Sequence, residues 1–89
     1  MLTVFKYPVK LEDRFALDIP RGGEILTVDM QAEKPQLWAL VNPEAYTEKR
    51  YFRVAGTGHP IKFNKEDLKF ISTFQMMKGA LIFHVFELL

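Results

Sequence analysis

RVAGTGHPI, residues 53–61, is the stretch around which the chain is arranged, because an apolar strand here runs into two glycines, a histidine and a proline. Glycine adopts positive φ readily, so Gly56 and Gly58 can point successive N–H groups at one spot, beside side-chain donors. The turn is therefore either an anion-binding pocket or a strand-ending turn in which His59 satisfies backbone carbonyls. The residues of the candidate pocket are Arg50, Arg53, Gly56, Thr57, Gly58 and His59.

The length of 89 residues is enough for one domain with a single core, but too short for a core plus a deep, separately walled active site. Eight Phe, three Tyr and one Trp favour pleated, half-buried surfaces, so the composition is typical of β structure. The formal net charge of +1 provides no general field that would hold nucleic acid. These limits favour a compact binding module whose partner is not nucleic acid.

The absence of cysteine excludes disulfides, thiolate zinc sites and thiol nucleophiles, and it suits a reducing cytoplasm. The apolar runs are only a few residues long, so we expect no transmembrane helix, no signal peptide and no association with a membrane. No carboxylate cluster indicates a metal, and we expect neither a metal nor a cofactor. The expected location is the cytoplasm.

Alternation of apolar and polar residues predicts a mainly β fold. Arg14–Ile19 and Glu24–Met30 each present one apolar and one polar face, and Pro8 makes the first strand an edge strand. Leu37–Val41 is apolar on both faces and is predicted to be central. We predict one domain over residues 1–89, a small antiparallel β-sandwich or open barrel of about seven short strands with at most one short helical turn.

The segment Asn64–Gly79 has two possible structures. Asn64 and Gly79 are suited to begin and end a helix, whereas Phe70–Phe74 is β-branched and aromatic, and Lys78-Gly79 suits a turn between strands. We favour one helical turn near Asn64–Asp67 followed by a hairpin. Strands that are apolar on both faces exceed what one core can hide, which predicts a homo-oligomer or a protein partner.

Two further sites are possible from residue type. His59 and His84 could act as acid and base in a phosphoesterase, although His84 lies within an apolar strand, where a hydrogen-bonded core position is the commoner role. Trp38 and Phe52, with Arg50, Arg53 and Lys49 nearby in sequence, could form a single-strand-binding face. We favour a core position for both aromatic residues, because large aromatic side chains among aliphatic neighbours are usually buried.

Five motifs together resemble a family of short uncharacterised proteins found mainly in bacteriophages and prophages. They are KYP at 6–8, LWALV followed by PE at 37–44, GTGHPI at 56–61, TFQ at 73–75 and FHVFE at 83–87. The resemblance covers about residues 6–87 in the same order and implies no established activity. Members often have glycine where this chain has Ser72, a departure that we expect to matter little for the fold.

The resemblance implies a noncatalytic phage or prophage accessory protein that binds and inhibits a host protein, in particular an anti-phage defence protein, in the bacterial cytoplasm. The expected partner-binding residues are Tyr51, Arg53 and Tyr46, on an exposed sheet face and in the 43–49 loop. The alternative is an oligomeric sponge that binds a small anionic nucleotide at Gly56–His59. A third possibility is a phosphoesterase that uses His59, so an enzymatic role stays undecided at this stage.

Overall fold

The computed structural model describes the whole chain, Met1–Leu89. Seven strands and two three-residue 3-10 turns, Lys65–Asp67 and Met77–Gly79, make up its regular structure. The predicted mainly β fold of seven antiparallel strands is confirmed. The strands are β1 (Thr3–Pro8), β2 (Arg14–Pro20), β3 (Glu24–Gln31), β4 (Lys34–Val41), β5 (Thr47–Gly56), β6 (Leu68–Met76) and β7 (Leu81–Leu88).

The strands form two antiparallel sheets that do not close into a barrel. The three-stranded sheet has the order β1-β4-β3, and the four-stranded sheet has the order β2-β5-β7-β6. β2 therefore leaves its neighbours in the chain, β1 and β3, and pairs with β5 in the other sheet. The prediction that β4 is a central strand is confirmed, since it lies between β1 and β3.

The core lies between the two sheets and is built by alternate residues of each strand. β4 directs Leu37, Ala39 and Val41 inward, and all three are almost completely buried. From the other sheet, Phe52 stacks on Phe15 with ring centroids 4.8 Å apart. Burial of each large apolar side chain stabilises the fold by about 1.5–3 kcal/mol, so these alternating residues hold the sheets face to face.

Trp38 is not in this core, which corrects one prediction. It lies between Leu37 and Ala39 on β4, so its side chain points to the outer face of the three-stranded sheet, where it is half-buried. Because successive residues of a strand point to opposite faces, only alternate residues of β4 can enter the core. The residues that do so are Leu37, Ala39 and Val41, which are smaller than Trp38. Phe52 is fully buried, as predicted.

A single side chain joins the edges of the two sheets. The Val28 N–H of β3 donates to Ser72 Oγ at 3.0 Å, and the Ser72 hydroxyl of β6 donates to the Val28 carbonyl at 2.7 Å. β-Bulges interrupt the register of both strands here, between Ile25 and Thr27 and between Phe70 and Ser72. The serine thus supplies both hydrogen bonds that a paired residue of a neighbouring strand would supply.

The Asn64–Gly79 segment has the structure that we favoured. The 3-10 turn Lys65–Asp67 leads into β6, and β6 forms a hairpin with β7. Met77, Lys78 and Gly79 all have positive φ (52°, 54° and 87°), so the Met77–Gly79 turn uses backbone conformations that are uncommon outside glycine. The glycine completes the reversal of the chain at no steric cost.

The segment 57–67 returns across the outer face of the four-stranded sheet. β5 and β6 both pair antiparallel to β7, so they run in the same direction, and the chain must come back between them. On the way, the Phe63 ring lies 5.2 Å from the Arg14 guanidinium carbon, and the Pro60 carbonyl accepts a hydrogen bond from Arg53 at 3.2 Å. This crossover covers the outer side of β5 near Arg53.

Replacement of Ser72 by Ala should test how strongly the arrangement of the two sheets depends on the hydrogen bonds between Ser72 and Val28. Val28 is only 1% exposed, so its N–H and carbonyl would lose their partner where water does not reach them. We expect the free energy of unfolding to fall by about 2–3 kcal/mol, measured by urea denaturation.

Thr27→Ala is the matched control, because the Thr27 hydroxyl approaches the same carbonyl at only 3.5 Å. It should cost about 0.5 kcal/mol or less. Equal losses for the two variants would contradict the role assigned to Ser72.

Candidate functional site

The turn at residues 56–59 has the geometry of a type II turn. The His59 N–H donates to the Gly56 carbonyl at 3.1 Å, and Gly58 has φ +87°, the value that this turn requires at its third position. The Thr57 N–H donates to the Ile82 carbonyl of β7 at 3.4 Å. Of the N–H groups of residues 57–59, that of Gly58 alone makes no hydrogen bond within the protein.

Gly56 has a different role from Gly58. Its φ is not positive, contrary to our expectation. A Cβ at this position would lie 3.0 Å from His59 Nδ1 and 3.1 Å from His59 Cε1. Gly56 is therefore needed for space, because the imidazole of His59 packs directly on its backbone.

A shallow depression of about 280 Å³ opens beside this turn. Its walls combine Gly56, Thr57 and His59 with residues 80–83, which begin β7. The depression offers a hydroxyl and an imidazole on one side and mainly apolar side chains on the other. Such a site can hold a small group, but none of its lining side chains is a permanent cation.

The Arg53 guanidinium is bound to carbonyl groups of the protein itself. It donates to the carbonyls of Asp13 (3.1 Å), Val54 and Pro60 (3.2 Å). Its Nη1 lies 3.8 Å from the Asp13 carboxylate, and its side chain is mostly buried. Arg53 therefore ties the segment before β2 and the crossover 57–67 to β5, rather than facing the depression.

Arg50 is partly buried and lies nearer the start of β5. It makes a two-pronged ion pair with Glu87 of β7, in which Nε bonds Oε2 and Nη2 bonds Oε1 at 2.8 Å, and Nη1 donates to the Gly23 carbonyl at 2.8 Å. The hydrogen bonds that Arg50 donates to Glu87 raise the pKa of its guanidinium, against the opposite effect of burial. Gly56 is six positions along the strand from Arg50, a distance of about 20 Å, so the structure does not bring Arg50 to the turn.

His84 is held by two threonine hydroxyls. Its Nε2 lies 2.7 Å from Thr57 Oγ1, and its Nδ1 lies 2.8 Å from Thr73 Oγ1. Each hydroxyl can donate or accept, so either neutral tautomer is satisfied. The hydrogen-bonded role predicted for His84 is thus what the structure has, although its side chain points to the outer face. Both ring nitrogens of His84 are therefore engaged by side chains of the protein itself.

The residues of the hypothetical single-strand-binding face do not come together. Phe52 is in the core, Trp38 is on the other sheet, and Lys49 Nζ lies 3.3 Å from Asp18 Oδ1.

A different cluster does form on the outer side of the four-stranded sheet. We call it the aromatic face, and it consists of Tyr51, Phe70, Phe86 and Leu88. Tyr51 pairs in register with Leu88, and Phe70 pairs with Phe86, so these four side chains lie on neighbouring strands of one face. Phe70 and Phe86 meet edge to face with ring centroids 5.7 Å apart. Phe70 is 57% exposed and Tyr51 is 52% exposed, far more than aromatic side chains usually are.

The three expected partner-binding residues have different positions relative to this face. Tyr51 belongs to it, and Arg53 lies in the same row as Phe86 and Phe70 but is occupied by the carbonyl groups described above. Tyr46 is 91% exposed in the loop before β5. Phe70 and Phe86 were not identified from sequence, because the bulge in β6 changes which residues share a face.

Two classes of site are absent from the structure. No group of three or more His, Asp or Glu side chains is placed to hold a metal ion. The structure contains no helix of sufficient length and hydrophobicity to span a membrane.

The fold and this surface define the chain as a small, mainly β domain of two antiparallel sheets packed face to face, with an apolar patch on the outer side of the four-stranded sheet. The model of a family described as Domain of unknown function (DUF7352) matches residues 1–89, and the chain belongs to that family. Searches of curated proteins and of solved structures found no match to the chain. Membership agrees with the expectation of an uncharacterised family.

Glu87→Gln should reveal the cost of leaving Arg50 without its counter-charge. The amide keeps the shape of the carboxylate but removes the charge that offsets the partly buried guanidinium. We expect a loss of about 2–3 kcal/mol in the free energy of unfolding, below the full value for a buried pair because Arg50 keeps some exposure. The measurement is urea denaturation at neutral pH.

Lys49→Gln breaks the neighbouring exposed pair with Asp18 and serves as the control. This variant should leave the midpoint of urea denaturation nearly unchanged, since exposed ion pairs contribute little to the free energy of unfolding. A larger effect of Lys49→Gln than of Glu87→Gln would refute this assignment.

Alanine at the two glycines of the turn should separate their roles. Gly58→Ala forces a side chain into the left-handed region and should cost about 1–2 kcal/mol. Gly56→Ala should displace the exposed His59 ring at a cost of about 1 kcal/mol or less, and shift the His59 resonances in NMR spectra. The reverse order of stability would show that the turn has another geometry.

Proposed function

We propose that this protein is a noncatalytic binding module whose aromatic face binds another protein. The observation that carries the proposal is the exposure of Phe70 and Tyr51, at 57% and 52%, on one side of the four-stranded sheet. Large exposed aromatic side chains that share one face are typical anchors of protein–protein interfaces. Both residues lie in paired strands of the sheet, which holds these anchors in place before a partner binds.

The positions of the polar groups support a binding role over catalysis. Arg50 and Arg53 donate to acceptors inside the protein, and both nitrogens of His84 are bonded to threonines. These residue types carry most phosphate chemistry, and here they stabilise the fold instead. An apolar patch without a cluster of free catalytic groups is suited to recognition of a complementary surface.

The partner is a host protein in the bacterial cytoplasm. This part of the proposal rests on the resemblance to short phage and prophage proteins, whose setting favours proteins that bind and inhibit host defence components. The family match to a domain of unknown function is compatible with this role and assigns no other activity. Binding through the aromatic face would inhibit the partner by covering a surface that it needs.

A nucleotide sponge is the second candidate, and the depression beside Thr57 and His59 is the observation in its favour. The free Gly58 N–H is one donor for an anion at this turn. However, no arginine faces the depression, so a phosphate there would lack a permanent counter-charge. The aromatic face is therefore the stronger candidate for function.

Phe70→Ala should reduce capture of the partner by at least about ten-fold while leaving the fold intact. The test is affinity capture from bacterial lysate under gentle conditions, read by native mass spectrometry for attached proteins and retained small molecules. Val4→Ala is the control, because Val4 is an exposed apolar residue of the other sheet.

Equal capture by wild type and Phe70→Ala would rule out the aromatic face. A retained nucleotide that is lost in His59→Ala, with no attached protein, would favour the sponge instead.

A further inference from the structure

β2 is a free edge of the four-stranded sheet, and its register fixes which backbone groups point outward. The Val54 N–H of β5 donates to the Asp13 carbonyl at 2.9 Å, and the Arg21 N–H donates to the Tyr46 carbonyl at 2.6 Å. Odd-numbered residues from 13 to 21 therefore direct their N–H and carbonyl groups at β5. In an antiparallel strand the even-numbered residues then direct theirs away, which applies to Arg14, Ala16 and Asp18.

These outward groups are exposed and make no hydrogen bonds to other parts of the chain. Arg14, Ala16 and Asp18 are all exposed, and none of their backbone groups takes part in a turn, loop or side-chain hydrogen bond. An open space of about 470 Å³ lies between residues 14–17 of β2 and Pro8, Lys10 and Glu12 of the preceding segment. An edge with unpaired donors and acceptors beside open space can accept another strand.

We propose that two copies of this chain associate through β2, as antiparallel strands related by a two-fold axis at Ala16. In this arrangement Ala16 faces Ala16 of the second copy, and Arg14 faces Asp18 of the second copy. All of these residues point their backbone groups outward, so each facing pair exchanges two N–H···O=C bonds. The two four-stranded sheets become one continuous eight-stranded sheet.

Charge selects this register over the neighbouring ones. With Ala16 on the axis, each Arg14 guanidinium lies opposite an Asp18 carboxylate on the same face, a favourable cross-strand pair. A shift of two residues in one direction places Asp18 opposite Glu12 of the second copy, two like charges. The opposite shift places Arg14 opposite Pro20 of the second copy, which has no N–H to donate.

The small size of Ala16 also suits the axis. Tyr51 of β5 pairs with Ala16 of β2. The Tyr51 residues of the two copies are therefore separated by both β2 strands, which is three strand spacings or about 14 Å. Their exposed rings can extend toward each other over the two alanines, which leave room for them. Pairing through β2 thus extends the apolar row formed by Tyr51 and Leu88 across the whole eight-stranded sheet.

The two edges of the three-stranded sheet, β3 and β1, are less suited to pairing. Val28 of β3 has its N–H and carbonyl bonded to Ser72, and the Met30 N–H is bonded to Asp29 Oδ1 at 2.8 Å. On β1, the bond from the Val9 N–H to the Pro35 carbonyl shows that Val4, Lys6 and Pro8 point outward. Pro8 has no N–H, and no outward acidic residue of β1 could pair with Lys6.

Sedimentation equilibrium over a range of protein concentrations tests the dimer, with a monomer mass of 10.4 kDa as the reference. Wild type should reach twice this mass. Ala16→Pro should abolish the dimer, because it removes the N–H at the axis, and an outward position on an edge strand tolerates proline, as Pro20 of the same strand shows. Lys6→Pro, which removes an outward N–H from the β1 edge, is the control and should still dimerise.

Charge reversal tests the register. Arg14→Asp alone places two carboxylates opposite each other and should raise the dimer dissociation constant by about ten-fold at low salt. The double variant R14D/D18R restores opposite charges and should recover most of the affinity.

The proposal is overturned if wild type stays at 10.4 kDa, if Ala16→Pro still dimerises, or if Lys6→Pro abolishes the dimer. It is also overturned if Ala16→Pro removes only the capture of a foreign protein, since β2 would then pair with a strand of that partner. Phe70→Ala leaves the β2 edge unchanged and tests the aromatic face separately.

Discussion

The hydrogen bonds between Ser72 and Val28 are the contact on which the arrangement of the two sheets depends. β3 ends the three-stranded sheet, and the backbone groups of Val28 are buried there without another strand to pair with. A buried N–H or carbonyl that lacks a partner is costly, so β6 must approach closely enough for one hydroxyl to bond both. The bulges in β3 and β6 provide the bend that allows this approach. The sheets are thereby joined at one side and remain open at the other, between β1 and β2.

Internal hydrogen bonding also explains why the polar residues of this chain are poor candidates for catalysis. A domain of 89 residues has few side chains with which to close its loops, and the arginines do much of this work. Arg50 links β5 and β7 to Gly23, just before β3, while Arg53 links β5 to the segment before β2 and to the crossover 57–67. Once these groups are bonded internally, the surface that is left for recognition is largely apolar, with an open backbone edge along β2. Function in this family member is therefore sought in surfaces and edges more than in a pocket.

The sequence predicts the strands well because their signal is local. Alternation in Arg14–Ile19 and Glu24–Met30, and the proline of β1, need no knowledge of the partner strands. What it could not predict depends on pairing between distant residues. Leu37–Val41 is apolar on both faces, so its local pattern does not show which face is buried. Trp38 lies on the outer face because the opposite sheet packs on Leu37 and Ala39. Arg50 and Glu87 are 37 residues apart, and no local pattern relates them. The position of Phe70 beside Phe86 requires the bulge at Ile71, which shifts the alternation of β6 by one residue.

The position of β2 in the four-stranded sheet, while β1 and β3 lie in the other sheet, has a consequence for how the molecule folds. β1, β3 and β4 form one sheet, yet the chain enters the other sheet between β1 and β3. No single cut of the chain separates the two sheets, so neither can be completed by one continuous half of the sequence. β7, the last strand, must be present before β5 has both of its neighbours. Such interleaving makes the domain a single cooperative unit dominated by contacts between distant residues, a class of topology that folds slowly and unfolds in one transition.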